Sequence, residues 1–355
     1  MIFRHLSRLI PVKRKGSFNL LVRNSRHHRF PLLTDRFGRV HNYLRISLTE
    51  KCNLNCAYCT PVSECSSLIK KTVTTWTLED LKVLAAYFVL RGIKKIRLTG
   101  GEPLLRRDLP DIIASLNQLR SINGPDSLHC ISMTTNGVTF TRRAAQLRSV
   151  GLDSVNISLD SLRRDRVRRL TGFDVLKPAV SAIYAALEYD YKPVKPIEVR
   201  FIEYMPFSGN RWDKDKLFPS VEILKVIREQ YAELEHVPTS ADSTAKLYRV
   251  PGWVGKIGLI TSMTDNFCSS CTRLRLTADG HLKACLHDYA EVDLYSTIHK
   301  LPDRGVQSDA LLRWMSSGDN RPSAEIIQLI DRLDELVNKA LLQKKREHAG
   351  EISVL

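Results

Sequence analysis

The chain's 355 residues are 43% hydrophobic and carry 54 Lys and Arg against 38 Asp and Glu, a formal charge of +16 at pH 7. That length and apolar content suffice for one barrel-sized core or two smaller ones, and they exclude a mainly disordered chain. Eight cysteines in such a length are too few for a disulfide-stapled miniprotein, while the surplus positive charge calls for an anionic partner: nucleic acid, a membrane surface or a phosphorylated small molecule.

In chain order, residues 1–34 come first. They contain no Asp or Glu and scatter Arg4, Arg8, Lys13, Arg14, Lys15, Arg23, Arg26 and Arg29 among apolar residues and serines. This is the composition of a mitochondrial transit peptide, with a basic nucleic-acid-binding arm as the competing reading. No apolar run approaches the length of a membrane span, so a soluble protein of the mitochondrial matrix is expected.

After Thr34 the chain alternates apolar, β-branched runs with helical patterns, the mark of a parallel sheet wrapped by helices. Strands are predicted at "NYLRISLT" from Asn42, "IKKIRLTG" from Ile93, "LHCISMTT" from Leu128, "DSVNISLD" from Asp153 and "EVRFIEYM" from Glu198. Helices are predicted over about 78–91, opened by Thr77 with Asp80 three residues on, and over about 108–121, 141–150 and 175–188. Each of the first four strands ends in a polar signature: a cysteine loop, "GGEP", "TTNG" and the "SLD" that carries Ser158. In barrel-like α/β folds these ends share the face on which active sites are built.

From about Val221 an amphipathic helix and a Gly-containing loop lead to "FCSSCTRLRLTADGHLKAC". The tail from Ser323 to Gln343 is predicted helical, with Ile326, Ile330, Leu333, Val337 and Leu341 on one stripe. The division expected is 1–34 transit peptide, 35–220 partial barrel, and 221–355 a smaller C-terminal region closing the barrel.

Cys52, Cys56 and Cys59 stand as CxxxCxxC, and Cys268, Cys271 and Cys285 form a second set of three. Structural zinc closes a tetrahedron with four ligands, whereas a cubane iron–sulfur cluster held by three thiolates keeps one iron open. A zinc knuckle completed by His281 or His287 is the alternative for the second set. Cys65 and Cys130 read as ordinary semi-buried residues.

CxxxCxxC directly after the first strand, an aromatic before its last cysteine and "GGEP" after the second strand resemble the radical S-adenosylmethionine superfamily. The longer stretches "DRFGRVHNYLRISLTEKCNLNCAYC", "IKKIRLTGGEPLLRRDL", "TTNG", "RFIEYMPFSGN" and "FCSSCTRLRLTADGHLKACL" are similar to its molybdenum cofactor biosynthesis A type, the GTP 3',8-cyclases. The resemblance spans about residues 35–350. It implies an α/β fold, a partial TIM-type barrel with a C-terminal cluster-binding region. It further implies that Cys52, Cys56 and Cys59 hold a 4Fe-4S cluster whose open iron takes S-adenosylmethionine, with Tyr58, Gly101, Ser158 and Met205 as contacts to that cofactor. Cys268, Cys271 and Cys285 would hold a second 4Fe-4S cluster facing GTP, and Arg45, Arg97, Thr134, Lys195, Arg273, Leu274 and Arg275 match substrate positions. The implied product, 3',8-cyclo-7,8-dihydro-GTP, goes to cyclic pyranopterin monophosphate synthase. A reductant protein is the other implied partner, a homodimer is left open, and no nucleic acid is expected.

Two departures from that family stand out. Pro196 and Ile197 alone separate Lys195 from Glu198, too little chain for the strand and helix the family places there, so a barrel lacking one β/α unit is expected. The sequence also stops at "REHAGEISVL" where the family continues to a terminal Gly-Gly on which its activity depends; cyclisation of GTP is the activity expected, with turnover of this chain left open. The functional alternatives are a catalytically inactive cluster- and GTP-binding isoform, a peptide-modifying radical enzyme, and a zinc-dependent RNA-binding module.

Overall fold

A polar–apolar alternation in the strands sets the architecture. In the computed structural model, which describes residues 33–59, 76–121, 128–191, 197–206, 213–240, 243–287, 290–300, 304–317 and 322–347, all five expected strands form. They are β1 (Tyr43–Ser47), β2 (Lys95–Thr99), β3 (Cys130–Thr135), β4 (Ser154–Ile157) and β5 (Glu198–Ile202). The helices between them are α1 (Leu78–Leu90), α2 (Leu109–Gln118), α3 (Ala144–Ser149), α4 (Arg164–Thr171) and α5 (Leu176–Glu188). The second half supplies α6 (Ser220–Gln230), β6 (Glu235–Val237), β7 (Lys246–Arg249), β8 (Lys256–Ile260), β9 (Arg273–Leu276), β10 (His281–Lys283), β11 (Val292–Asp293), α7 (Tyr295–His299), α8 (Arg304–Ser317) and α9 (Ala324–Gln343). Among these, α4, α7, α8 and the strands β6 to β11 lie outside the sequence expectation.

β1 to β4 pair in parallel, and β9 adds in parallel on the other side of β1. With β10 and β11 antiparallel beyond it, the order is β11-β10-β9-β1-β2-β3-β4. Leu44 and Ile46 of β1, Ile96 and Leu98 of β2, and Ile131 and Met133 of β3 are buried in one core with Leu84 and Phe88 of α1, Ile112 and Leu116 of α2, and Leu333 and Val337 of α9. The opposite face of the same strands carries the polar residues. That alternation is the period of a pleated strand, and here it separates a dry side from a working side.

The N-terminus of α1 is the expected capping box: Thr77 accepts from the Asp80 amide and Asp80 accepts from the Thr77 amide. α2 is shorter than expected and ends in a 3-10 turn over Leu119–Ser121. α9 begins under its Ser323 cap and buries the whole expected stripe.

The barrel is open. β11 and β4 are the outer strands, so the C-terminal strands extend the sheet beside β1 instead of closing it. β5 leaves that sheet altogether and pairs in parallel with β8 in a second sheet of order β5-β8-β7-β6. Between α5 and β5 only residues 189–197 remain, which cannot hold another strand and crossover helix. A division at residue 220 cuts across both sheets. Among the described residues, no single helix is long and apolar enough to cross a membrane.

Candidate active site

The first cysteine set sits on the loop beyond the C-terminal end of β1. Cys59 donates its amide to the Cys56 carbonyl at 2.9 Å, and the loop is pinned to the end of α4 by Asn55 N–H to Thr171 O (3.0 Å) and Ala57 N–H to Leu170 O (2.9 Å). Cys52 and Cys59 are exposed and Cys56 is half-buried. Burial pushes the Cys56 thiol up to about 11, with Asp160 and the other two thiols adding to it and a Tyr58 hydrogen bond opposing. Burial likewise raises Cys59, reinforced by Cys52 and Asp160. Three thiols thus crowd one another where a cationic group would remove the mutual penalty.

Tyr58 donates to both oxygens of Asp160, at 3.0 and 3.1 Å. Asp160 was absent from the expected site, although it closes the "SLD" that was recognised. Ser158, two residues earlier, is held by its amide on Thr135 O at 2.9 Å.

The glycines of "GGEP" are required by backbone contact. Gly100 has φ +139°, and a Cβ there would lie 2.4 Å from Thr49 O; at Gly101 it would lie 2.2 Å from Lys51 O. The space is filled by the cysteine loop itself, so the close approach these glycines permit is first of all to this chain. Glu102, 1% exposed, then ties the strand ends together. It accepts from Leu104 N–H (3.0 Å), Thr135 Oγ1 (2.7 Å) and Asn136 N–H (2.8 Å), and Asn136 in turn donates to Asn53 of the cysteine loop at 2.7 Å. Burial raises the Glu102 carboxyl in spite of these donors.

Met205 lies past β5, half-buried. Its segment is fixed by buried Glu203, which accepts from the amides of Ser220 (2.8 Å), Met263 (2.8 Å) and Thr264 (3.0 Å) and from the Thr264 hydroxyl (2.5 Å). Those donors outweigh burial and hold the carboxyl below its ordinary range.

The polar face of the main sheet is cationic. The register aligns Lys283 with Arg275, Arg275 with Arg45, and Arg45 with Arg97, one on each of four adjacent strands. The neighbouring row is Arg273, Tyr43 and Lys95. Strands about 4.8 Å apart bring these cations close together. Lys283 is paired with Glu291 at 2.8 Å; among the described residues, Arg45, Arg97, Arg273 and Arg275 have no carboxylate partner. Arg97 donates to the Tyr43 hydroxyl at 2.5 Å and to Thr134 Oγ1 at 3.2 Å. Burial, and then the charge of Arg275, brings Arg45 down to about 9. Arg275 is lowered by burial and by Arg273. Arg273 stacks over Phe267 at 4.8 Å and keeps a buried Nη2 without a partner. Tyr43, missed from sequence, has its hydroxyl drawn below the ordinary range because Arg97, Arg45 and Lys95 outweigh burial. Concentrated, poorly compensated guanidinium charge is suited to a polyanion, which the planar fork of arginine binds in pairs of oxygens.

Leu274 is fully buried in the core. By strand alternation its side chain leaves the arginine face, so its own contribution to that face is backbone. Lys195 lies outside the described residues, as does Cys65.

The second cysteine set flanks β9 and β10. Cys268 opens a 3-10 turn, Cys271 follows it with its amide 3.2 Å from Cys268 O, and Cys285 comes two residues after β10. Burial would raise the Cys271 thiol, but Lys344 and Arg273 reverse that and bring it down to about 6, so its thiolate is favoured. Such a thiolate fits metal ligation. Among the described residues the donors that converge within 4.8 Å are instead those of Asp279, His281 and Glu291. His281 stands among those carboxylates, its Nδ1 3.4 Å from Asp279.

Because β9 runs parallel to β1, Cys268 and Cys271 lie at the start of the arginine rows. Cys285 is brought to that same end by antiparallel β10, and Cys52, Cys56 and Cys59 lie beyond the opposite end. The cationic face separates the two thiol sets.

The description "Radical SAM superfamily" matches residues 46–208, and "Molybdenum Cofactor Synthesis C" matches residues 197–322. The chain is 40% identical over 359 residues to molybdenum cofactor biosynthesis protein 1 of Homo sapiens, covering 93% of this chain and 51% of that protein; it spans about half the length of such relatives. It is 36% identical to the mitochondrial GTP 3',8-cyclase of Arabidopsis thaliana, with 91% and 80% covered, and 36% identical to the GTP 3',8-cyclase of Syntrophomonas wolfei, with 75% and 87% covered. In fold it is similar to native anSMEcpe with bound AdoMet, at TM-score 0.51 and 13% identity, with 84% of this chain and 98% of that one covered.

Proposed function

This chain belongs to the GTP 3',8-cyclase family of the radical S-adenosylmethionine superfamily, and from that premise we propose that it converts GTP to 3',8-cyclo-7,8-dihydro-GTP, the first step of molybdenum cofactor synthesis. The observation that carries the proposal is the arginine face between two sets of three cysteines; on this reading the face takes the triphosphate and the thiols on either side ligate iron. Cys52, Cys56 and Cys59 would hold one 4Fe-4S cluster and Cys268, Cys271 and Cys285 a second. A cluster at the first set supplies, when bound, the electron that cleaves S-adenosylmethionine.

The chain's own residues then bind and aim. Tyr58, Gly101, Ser158 and Met205 are proposed contacts to S-adenosylmethionine. Tyr58 is oriented by Asp160, and the three strand-end loops are fixed to one another through Glu102 and Asn136. Arg45, Arg97, Arg273 and Arg275 would neutralise the triphosphate, with Thr134 and Tyr43 setting the Arg97 guanidinium. Lys195 and the Leu274 backbone are proposed substrate contacts from the family resemblance. The acid-free N-terminal segment and the mitochondrial Arabidopsis relative support a mitochondrial location. The product would pass to cyclic pyranopterin monophosphate synthase.

The open edge at β4 favours one second reading, a cluster- and GTP-binding protein without turnover. An anaerobic assay of the reconstituted protein with S-adenosylmethionine, GTP and a strong reductant separates the two. 5'-Deoxyadenosine together with the cyclised nucleotide is the expected result. Deoxyadenosine without cyclised GTP, from protein that retains GTP, would support the second reading.

A further inference from the structure

Lys344 caps the 20-residue helix α9 in the basic run "QKKRE", yet it is 2% exposed. Its backbone leaves α9 as the C-cap, at φ −60° and ψ 128°, and the side chain turns inward. The ammonium lies 2.7 Å from His41 Nε2, 3.4 Å from the Cys271 sulfur, 3.5 Å from Cys271 O and 3.4 Å from Arg273 O. His41 itself is anchored through Nδ1 to Leu33 O at 3.0 Å, so Nε2 is the acceptor for Lys344. Arg39 stitches the same place from the other side. It donates to Cys268 O at 2.7 Å, to Lys345 O at 2.8 Å and to Arg346 O at 3.0 Å.

The charge at this point is unbalanced. Asp35 is the buried carboxylate nearby, and Arg39 already occupies it at 2.6 Å. Among the described residues Lys344 has no carboxylate partner, and Arg273 adds a further buried cation. A buried ammonium without an anion is costly, and among the described residues the anionic candidates here are thiols: the Cys271 sulfur it faces and, more weakly, Cys285.

We propose that Lys344 is a positioning residue for the second cysteine set: held by His41, it donates to the Cys271 sulfur, fixes that thiolate and favours the reduced form of an iron–sulfur group bound there. The inference rests on the reading that this set holds a cluster. Electron uptake adds negative charge to such a group, and a hydrogen bond to a ligand sulfur together with a nearby cation stabilises the added charge.

The test uses the full chain reconstituted anaerobically with iron and sulfide. In a background with Cys52, Cys56 and Cys59 changed to Ala, the remaining iron is assigned to the second set and its midpoint potential is read by redox titration followed by electron paramagnetic resonance. Lys344→Met is expected to make that potential more negative by at least a tenfold change in the reduction equilibrium, about 59 mV for one electron. Lys344→Arg is expected to restore most of it. Should the Met variant fail to fold, Lys344→Gln keeps a donor, drops the charge and reads the same potential, with a smaller shift expected. Retained iron with an unchanged potential in Met or Gln overturns the role of Lys344 alone. Loss of all iron from the triple-Ala background with Lys344 intact overturns the cluster reading on which it rests.

Discussion

His41 shows how one buried side chain reports on its surroundings. Burial, and then the charge of Lys344, bring its pKa down to about 4 from an ordinary 6.5. The folded protein therefore keeps the ring neutral while the unfolded chain protonates it below about pH 6.5. Stability from this residue is complete above that value and is lost as pH falls toward 4, by up to about 3 kcal/mol. Melting of the wild type should drop more between pH 7.5 and 5 than melting of His41→Gln; equal drops would remove His41 as the cause. From sequence, His41 was one letter in a motif. Part of what keeps it neutral is Lys344, 303 residues away, a distance no local pattern conveys. Arg45 and Arg97, by contrast, were singled out by the family resemblance, and strand alternation is a local pattern that puts Arg45 on the face opposite Leu44 and Ile46.

Helix α1 is central at the next scale. Its own sequence supplies the capping box and the apolar surface, and both form as expected. Its attachment to α9 was not legible. Arg91 pairs with Asp334 at 2.5 Å and Tyr87 donates to the other Asp334 oxygen at 2.7 Å, joining helices far apart in the chain. Asp334→Ala would strand a mostly buried guanidinium and hydroxyl, and a loss of about 2–3 kcal/mol is expected. Denaturant unfolding of the cluster-loaded protein measures it; a loss within about 0.5 kcal/mol would mean that the pair behaves as an exposed one. The second sheet was equally hidden. β6 and β7 are only three and four residues long and little buried, so they carry too little of the polar–apolar alternation that marks β1 to β3.

For the whole molecule, the two thiol sets lie at opposite ends of one cationic face and should load independently. About eight irons per chain are expected for two 4Fe-4S clusters. Cys56→Ala and Cys271→Ala should each lower this to about four, and elemental analysis with sulfide determination checks it. Loss of all iron in either variant would show that the sets do not load separately. The sequence by itself determined the order of the main strands and helices, the strand-end placement of the signatures and the two cysteine sets, because these rest on local periodicity, capping and spacing along the chain. Only the tertiary structure decided that β9 lies beside β1 and brings Arg275 level with Arg45, that the sheet stays open at β4 while β5 joins β8, and that Lys344 is buried against Cys271. Strand pairing and charge burial depend on which distant segments meet, and that is settled by packing the whole chain at once.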